Sequence, residues 1–335
     1  MQVRRDVRLA DLTTLAVGGP IDRLVEVTDA QELVDAVRDA DEAGRPLLLI
    51  GGGSNIVAPD DGWPGDVVAV RTQGIERDGN SLFVAAGHDW DALVAYTVEN
   101  DLAGMEALSG IPGSTGATPV QNVGAYGQEV AQTITAVRVY DRAEKSERTL
   151  TPEECGFAYR DSRLKREPGR FVVTEVAFAL DAGSRSRPVG YAELARRLDV
   201  EIGETAPLAD VRGAVLELRR GKGMVLDPAD PDSRSAGSFF TNPVVPAERA
   251  VDGCPSWPTP DGQVKLSAAW LVQSAGFGRG TRQGNVGTSS RHSLALTTED
   301  GATAAELMAF AGRVIEAVQE RFGVTLVPEP TAVRP

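Results

Sequence analysis

The segment PLLLIGGGSN, residues 46–55, carries the clearest structural signal of the chain. Residues 46–50 form a short, fully apolar run, which is typical of a strand in a sheet that is covered on both faces. The glycines that follow let backbone amides approach a ligand closely and form a nest for phosphate oxygens. A tight turn is the alternative interpretation. The segment therefore predicts a buried strand that ends in a turn or in a phosphate-binding loop.

A dinucleotide-binding fingerprint is excluded at this loop. The pattern G-x-G-x-x-G would need glycine at position 56, where the chain has Ile56. Residues 56–62 also predict a strand end and a turn, whereas the fingerprint requires a helix.

The pattern around this segment changes along the chain. A strand at 21–27 and a helix at 31–40 precede it, which predicts a βαβ-like subdomain over residues 1–66. Residues 67–204 predict a mainly antiparallel subdomain with one helix near 90–100. Its β-rich runs are 67–71, 82–86, 135–140 and 171–180.

The C-terminal part of the chain follows a polar stretch. The polar stretch 181–188 is a candidate linker ahead of it. Two helices are predicted inside it, near 266–275 and near 302–322, from apolar residues at helical spacing.

Composition limits the classes of function. The chain has 335 residues, 42% of them hydrophobic, and a net charge of −14. This acidity argues against a nucleic acid or an anionic membrane surface as partner. No run reaches the roughly 18 apolar residues of a membrane span, and no export signal is visible. Cys155 and Cys254 lie far apart and form no C-x-x-C pair, so we expect no metal and a cytoplasmic location.

A second loop, SGIPGSTGATPVQNVGAYG at residues 109–127, is built almost wholly from small residues. A surface loop is one interpretation. The loop lacks charged residues, however, and Val120 and Val123 are apolar. A backbone laid against a large flat ligand is the other interpretation.

Four polar sites could carry chemistry. Tyr159 and Arg160 open a basic stretch that is either a solvated turn or an anion site, and residues 219–222 form a second basic group. Ser238, in GSFFTNP, has no histidine nearby and no G-x-S-x-G motif, so a serine–histidine nucleophile is poorly supported. A bulged strand with two core phenylalanines is the simpler interpretation. Glu329 lies in a short Pro-flanked tail.

These segments together resemble one family, the UDP-N-acetylenolpyruvoylglucosamine reductases, flavin enzymes that make UDP-N-acetylmuramate for bacterial peptidoglycan. The resemblance covers residues 12–329 and depends on five blocks in family order. They are LIGGGSN (49–55), GIPG through NVGAYG (110–127), YRDS (159–162), AGSFFTNP (236–243) and Glu329.

The resemblance implies an α+β fold. It consists of a two-part FAD-binding region of the vanillyl-alcohol-oxidase/PCMH type, over 1–66 and 67–204, and a C-terminal α/β substrate-binding domain over 205–330. Noncovalent FAD is expected, because residues 51–55 contain no histidine or cysteine. The implied FAD-binding residues are Gly51, Gly52, Gly53, Ser54, Asn55, Gly110, Ile111, Pro112, Gly113, Ser114, Gly116, Asn122, Gly124, Ala125 and Tyr126.

The resemblance also implies the residues of the reaction. Arg160, Ser238 and Glu329 correspond to the catalytic residues. The positions that correspond to substrate contacts are Tyr159, Tyr191, Lys222 and Asn242. Tyr191 matches the tyrosine that closes over the uridine nucleotide in the longer class of these enzymes, with a core aromatic at a helix start as the alternative.

Two departures from the family pattern leave the catalytic set intact. Thr241 stands where lysine is common, and Thr13 stands where asparagine is common. The segment between Lys222 and Ser238 is longer than in some members, which leaves the position of Lys222 open.

The implied reaction has two halves. NADPH reduces FAD, and UDP-N-acetylenolpyruvoylglucosamine then receives hydride from the flavin and a proton from Ser238. Arg160 and Glu329 stabilise the negative charge that develops beside the substrate carboxylate. No adenosine-phosphate motif selects NADPH over NADH, and we expect a monomer. The alternatives are another FAD oxidoreductase of the same fold and a nucleotide-sugar-binding module without turnover.

Overall fold

The computed structural model describes residues 1–335. The helices are α1 (Ala30–Glu42), α2 (Trp90–Glu99), α3 (Pro152–Cys155), α4 (Arg163–Arg166), α5 (Ala192–Leu198), α6 (Leu208–Gly221), α7 (Ala268–Ser274) and α8 (Ala304–Phe322). The strands are β1 (Gln2–Arg4), β2 (Val7–Arg8), β3 (Pro20–Val27), β4 (Leu47–Ile50), β5 (Ile56–Val57), β6 (Trp63–Val70), β7 (Ile75–Asp78), β8 (Ser81–Ala85), β9 (Leu102–Ala103), β10 (Gly124–Ala125), β11 (Gln128–Glu129), β12 (Ile134–Asp141), β13 (Ser146–Leu150), β14 (Phe171–Ala179), β15 (Asp181–Ala182), β16 (Ser235–Ser238), β17 (Val244–Pro246), β18 (Ser256–Pro258), β19 (Gln263–Leu266), β20 (Arg282–Gln283), β21 (Val286–Thr288), β22 (Ala295–Thr298) and β23 (Thr331–Ala332).

The chain divides into two compact units. Unit 1 comprises Met1–Asp6, Ile21–Gly52 and Pro64–Arg220, and unit 2 comprises Val7–Pro20, Gly53–Trp63 and Gly221–Pro335. Two early segments, 7–20 and 53–63, thus belong to the unit that holds the end of the chain. The boundaries after residues 66 and 204 that the sequence suggests stay predictions.

The first sheet of unit 1 contains the apolar strand of the opening segment. The strand order is β1-β3-β6-β4, and β4 runs parallel to β6, with Leu47 opposite Asp66 and Ile50 opposite Ala69. Helix α1 begins where the Asp29 carboxylate accepts a hydrogen bond from the backbone N–H of Glu32 at 2.8 Å. The predicted strands at 21–27 and 46–50 and the predicted helix at 31–40 are confirmed.

The second sheet of unit 1 is antiparallel throughout, as predicted for the runs 82–86, 135–140 and 171–180. The prediction is wrong for the run 67–71, because residues 67–70 belong to β6 of the first sheet, where β6 pairs in parallel with β4. The strand order of the second sheet is β13-β12-β14-β8-β7. Helix α2 contributes to the same core, in which Trp90 and Phe178 lie 6.2 Å apart between ring centroids and both are fully buried. This core therefore holds the first turn of α2 in place. The backbone of the same turn bonds to the second glycine loop.

The polar stretch 181–188 is not a linker, because backbone hydrogen bonds fix it within unit 1. Strand β15 pairs with β9, and the backbone N–H of Ser186 donates to the carbonyl of Ala206 at 2.8 Å. Helix α6 then packs its apolar face, including Val211 and Val215, into a small core with α5.

The core of unit 2 lies between its four-stranded sheet and two helices. The sheet order is β16-β22-β21-β20, and the cluster that includes Leu271, Leu296, Leu307 and Phe310 forms the core. Helices α7 and α8 confirm the two predicted C-terminal helices. A separate three-stranded sheet has the order β17-β19-β18. No helix in the chain has both the length and the apolarity needed to cross a bilayer.

Asp60 fixes the start of helix α8. Its two carboxylate oxygens accept from the backbone N–H groups of Ala304 at 2.8 Å and of Ala305 at 2.9 Å. These amides have no partner inside the helix, and a negative charge near them interacts favourably with the helix dipole.

Replacing Asp60 should therefore loosen α8. We expect Asp60→Ala to destabilise this helix start by about 1–2 kcal/mol. Amide hydrogen exchange should then accelerate in the first turn of α8. Asp61→Ala, which removes the exposed neighbouring carboxylate, is the matched control and should leave exchange unchanged. Equal exchange in the two variants would contradict the assignment.

Candidate functional site

Two glycine loops lie backbone against backbone in unit 1. A Cβ added at Gly52 would lie 2.7 Å from the Cα of Gly113, and one added at Gly51 would lie 2.2 Å from the Oγ of Ser114. Only glycine permits so close an approach. The two loops that the sequence singled out separately are thus one structural feature.

The backbone around the start of α2 holds the second loop. The N–H of Trp90 donates to the carbonyl of Gly113 at 3.1 Å, and the N–H of Thr115 donates to the carbonyl of His88 at 2.8 Å. The loop takes its shape from these bonds, because it contains no regular helix or strand from residue 109 to residue 114.

The segment 158–162 is tied to the far end of the same loop. The Asn122 side-chain amide donates to the carbonyl of Ala158 at 3.0 Å, and the Arg160 guanidinium donates to the carbonyl of Gly124 at 2.7 Å. Ser162 donates to the carbonyl of Val120 at 2.6 Å. Three side chains thus bring the YRDS block and the loop together.

Arg160 occupies the tip of a tight turn. Ala158 and Asp161 exchange backbone hydrogen bonds of 3.0 and 3.2 Å, which leaves Tyr159 and Arg160 at the tip. Arg160 has φ +53°, a left-handed conformation that costs energy in a residue with a side chain. Lys165 donates to the Arg160 carbonyl at 2.8 Å and helps to hold the turn. Strain of this kind clusters at functional sites.

Tyr126 and Tyr191 form an edge-to-face pair, with ring centroids 5.4 Å apart. Burial raises the pKa of Tyr126 to about 12, and burial followed by the charge of Glu193 raises the pKa of Tyr191. Both hydroxyls therefore stay protonated at neutral pH. Tyr191 precedes α5 as the interpretation of a helix-start aromatic requires, but the core part of that interpretation is wrong, because Tyr191 is 41% exposed.

A backbone pairing in unit 2 brings Ser238 and Glu329 together. The N–H of Glu329 donates to the carbonyl of Phe239 at 2.8 Å, and the N–H of Thr241 donates to the carbonyl of Val327 at 3.0 Å. Ser238 is half-buried at the end of β16, where a register shift and the left-handed φ of +71° at Gly237 mark a bulge. The bulged strand and the two buried phenylalanines that the sequence predicted are confirmed.

Asn55 and Asn242 lie near this pairing in unit 2. The Asn55 carbonyl accepts from the N–H of Thr331 at 3.0 Å, where β5 and β23 run in parallel. The Asn242 side-chain oxygen accepts from the N–H of Ala268 at 3.0 Å and so stabilises the start of α7. This bond uses the Asn242 side-chain oxygen, whereas the hydrogen-bond donors of an asparagine side chain are on its NH2 group.

The predicted site residues are therefore divided between the units. Unit 1 holds Gly51, Gly52, Gly110, Ile111, Pro112, Gly113, Ser114, Gly116, Asn122, Gly124, Ala125, Tyr126, Tyr159, Arg160 and Tyr191. Unit 2 holds Gly53, Ser54, Asn55, Lys222, Ser238, Asn242 and Glu329.

Family models match both parts of the chain. A model described as an FAD binding domain matches residues 21–149, and a model described as the C-terminal domain of UDP-N-acetylenolpyruvoylglucosamine reductase matches residues 228–333.

Curated relatives match nearly the whole chain. A UDP-N-acetylenolpyruvoylglucosamine reductase of Thermobifida fusca is 51% identical over 98% of this chain and 97% of its own. The reductase of Streptomyces coelicolor is 50% identical over 99% of this chain and 91% of its own. The chain belongs to the UDP-N-acetylenolpyruvoylglucosamine reductase family. A crystal structure of the Thermus caldophilus reductase matches with a TM-score of 0.70 and 27% identity, covering 100% of both chains.

The family is that of an FAD-dependent oxidoreductase. Membership confirms the predicted enzyme class and the predicted α+β fold with its FAD-binding and C-terminal domains.

The residues of unit 1 fit the cofactor. Side chains at Gly51 and Gly52 would fill the space beside the second loop, and the loop residues 109–127 carry no charge that would oppose a phosphate or a flavin ring.

Sequence reasoning missed one element beside the loops. No helix was predicted at α6, although Leu208, Val211 and Val215 recur at helical spacing. From this helix, the buried Arg219 donates to the carbonyl of Gly110 at 3.2 Å, so the basic group at 219–222 is in part a loop-binding group rather than a solvated turn.

The close approach of the two loops generates a prediction. Gly52→Ala should lower the affinity for FAD about tenfold or more, since overpacking against backbone typically costs about 1–3 kcal/mol. Flavin fluorescence during titration of the apoprotein measures the dissociation constant. Gly213→Ala, in open space on α6, is the matched control and should leave the constant unchanged. A Gly52→Ala protein that binds FAD as tightly as the wild type would refute the loop contact as an FAD determinant.

Proposed function

We propose that this protein reduces UDP-N-acetylenolpyruvoylglucosamine to UDP-N-acetylmuramate for bacterial peptidoglycan, with noncovalent FAD and with NADPH as the reductant. The observation that carries the proposal is the 51% identity to a reductase of this name over 98% of the chain. The match extends over nearly the whole chain and over 97% of the relative.

The chemistry divides between the cofactor and the protein. The bound FAD would supply the transfer of a hydride from NADPH to the terminal alkene carbon of the enolpyruvyl group. The side chains must then stabilise the negative charge that develops on the adjacent carbon and spreads into the carboxylate. They must also supply one proton there, because a hydride and a proton together saturate the double bond.

Arg160 is proposed to stabilise the substrate carboxylate. Its guanidinium is positioned in advance, by its bond to the Gly124 carbonyl and by the fixed turn that presents it. A preorganised cation needs no rearrangement as charge develops, which is the main source of this kind of catalysis. The Tyr159 ring lies 5.6 Å from the guanidinium carbon and further restricts its orientation.

Ser238 is proposed as the proton donor and Glu329 as a second group that polarises the carboxylate. The backbone pairing of 239–241 with 327–329 holds both residues on one rigid feature of unit 2. A serine hydroxyl is a very weak acid. It can serve here because a carbanion-like centre is a strong base, so no histidine is required.

The remaining polar positions are proposed as substrate contacts. Tyr159, Lys222 and Asn242 would contact the substrate, and Tyr191 would close over the uridine. Supporting the last role, the Tyr191 ring is 41% exposed and is held nearly perpendicular to the ring of Tyr126.

The two glycine loops are proposed to bind FAD noncovalently. In related folds that attach flavin covalently, the bond is made to histidine or cysteine, and residues 51–55 and 109–127 contain neither. The proposed FAD contacts are the fifteen residues of these loops that the sequence resemblance implies, from Gly51 to Tyr126.

The enzyme is proposed to act in the cytoplasm. It is also proposed to be a monomer. The net charge of −14 disfavours nucleic acid and anionic membranes as partners, whereas an anionic nucleotide sugar needs only local cations. Another FAD oxidoreductase of the same fold remains the alternative, and the substrate that reoxidises the reduced flavin distinguishes the two.

Removing the proton donor should separate the two half-reactions. In Ser238→Ala, NADPH should still bleach the flavin, while reoxidation by UDP-N-acetylenolpyruvoylglucosamine should slow about 100- to 10,000-fold. Stopped-flow absorbance at the flavin band measures both steps. Ser256→Ala, at an exposed serine of unit 2, is the control. If both half-reactions survive in Ser238→Ala, the assignment is wrong.

Removing the cation should affect the same step. Arg160→Gln should slow flavin reoxidation by the substrate about 100- to 1,000-fold, the usual cost of losing one preorganised donor. The control is Arg138→Gln, which removes a surface arginine of unit 1 that pairs with Glu175. Equal reoxidation rates in Arg160→Gln and in the control would exclude a catalytic role for Arg160.

A further inference from the structure

Charged side chains from two helices hold the Gly110 residue on both sides. The Gly110 N–H donates to the carboxylate of Asp91, in the first turn of α2, at 2.6 Å. The Gly110 carbonyl accepts from the Arg219 guanidinium of α6 at 3.2 Å. The first residue of the GIPG block is therefore fixed by a full charge at its donor and at its acceptor.

Asp91 is in turn held by Arg212 of α6. The two guanidinium nitrogens donate to the two carboxylate oxygens at 2.6 and 2.9 Å, which is the bidentate geometry that arginine forms with carboxylates. The Arg212 and Asp91 side chains are 19% and 34% exposed. Such a pair has a defined geometry, unlike most exposed ion pairs, whose contribution is small.

The electrostatic balance keeps Asp91 ionised. Burial acts to raise the pKa of Asp91, but the Arg212 hydrogen bond, the Gly110 N–H and the charge of Arg219 together hold it below its usual value. A carboxylate that is ionised and half-buried makes a stronger bond to a backbone N–H than a neutral acceptor in water does.

We propose that Asp91 and Arg212 are a positioning pair that fixes the Gly110 peptide and, through it, the loop 110–116 in the conformation that binds FAD. The inference rests on the proposed function, in which this loop lies against the flavin. Asp91 acts on the loop directly, and Arg212 acts through Asp91.

The loop needs such a device because its own sequence is permissive. Gly110 and Gly113 have φ of +70° and +133°, and glycine loses more conformational freedom on ordering than any other residue. If the free loop samples many conformations, FAD binding must supply the ordering free energy, and the affinity falls. A loop already fixed at Gly110 avoids much of that cost.

A purely structural role for Asp91 makes a different prediction. An acidic residue in a first helical turn stabilises the helix. Helix α2, however, already begins at Asp89, whose carboxylate accepts from the N–H of Ala92 at 2.8 Å. Loss of a merely structural Asp91 would lower the melting temperature of the apoprotein and leave its affinity for FAD unchanged.

The test is a double-mutant cycle on FAD affinity. Asp91→Asn, Arg212→Gln and the double variant are prepared as apoproteins, and flavin fluorescence gives the FAD dissociation constant of each. We expect each single change to raise the constant about tenfold, as for loss of a charge-assisted hydrogen bond. The double change should raise it no further, since both remove one interaction. Arg212→Lys, which keeps the charge without the fork, should be intermediate.

Glu217→Gln is the matched control, because Glu217 also forms an ion pair on α6, with Arg197, but does not contact the loop. Its dissociation constant should stay within about twofold of wild type. The proposal is overturned if Asp91→Asn and Arg212→Gln also stay within that range, or if their effects multiply in the double variant. A wild-type protein that binds no FAD would instead overturn the proposed function, and this inference with it.

Discussion

The backbone of Gly52 lies against the backbone of Gly113, and that of Gly51 lies against the Ser114 side chain; the arrangement of the two loops in unit 1 depends on this approach. Added Cβ atoms would lie within 3 Å of the facing loop, so the two segments can pack only as glycine. Strand β4, which is apolar throughout and buried at Leu48 and Ile50, leads directly into the first loop. The start of α2 delivers the second, through backbone bonds that substitute for regular structure.

Around this contact the acidic chain places a few cations with defined geometry. Arg160 is presented by a strained turn, and Arg219 is buried, where burial lowers its pKa while Tyr126 and Asp91 oppose the shift. Arginine remains a cation under such conditions. The net charge of the chain and the charge of its functional surfaces are therefore separate properties. An anion-binding enzyme can carry a charge of −14 because each required cation is held locally.

The two units hold their polar residues in place in different ways. Unit 1 fixes its polar residues by side chains that bond to loop carbonyls, as Asn122 and Ser162 do. Unit 2 fixes Ser238 and Glu329 by backbone pairing, in which side-chain identity matters less than register. A sequence motif can reveal the first arrangement, because the residue types are specific. It cannot reveal the second, because many sequences pair with the same register.

The sequence by itself determined several elements with strong local signals: the apolar strand at 46–50, the helices α1, α2, α7 and α8, and the runs 82–86, 135–140 and 171–180 of the antiparallel sheet. It also located the polar blocks, through a resemblance that the family match confirms. Local patterning suffices for these because burial of one face sets the period of apolar residues.

Only the tertiary structure assigned segments 7–20 and 53–63 to unit 2, which contains the C-terminal residues. Only the tertiary structure, too, brought Asp91 and Arg212, which are 121 positions apart, together beside Gly110. The physical reason is that such contacts depend on how the chain returns on itself. Hydrogen bonds and ion pairs between distant residues leave no periodicity in the sequence.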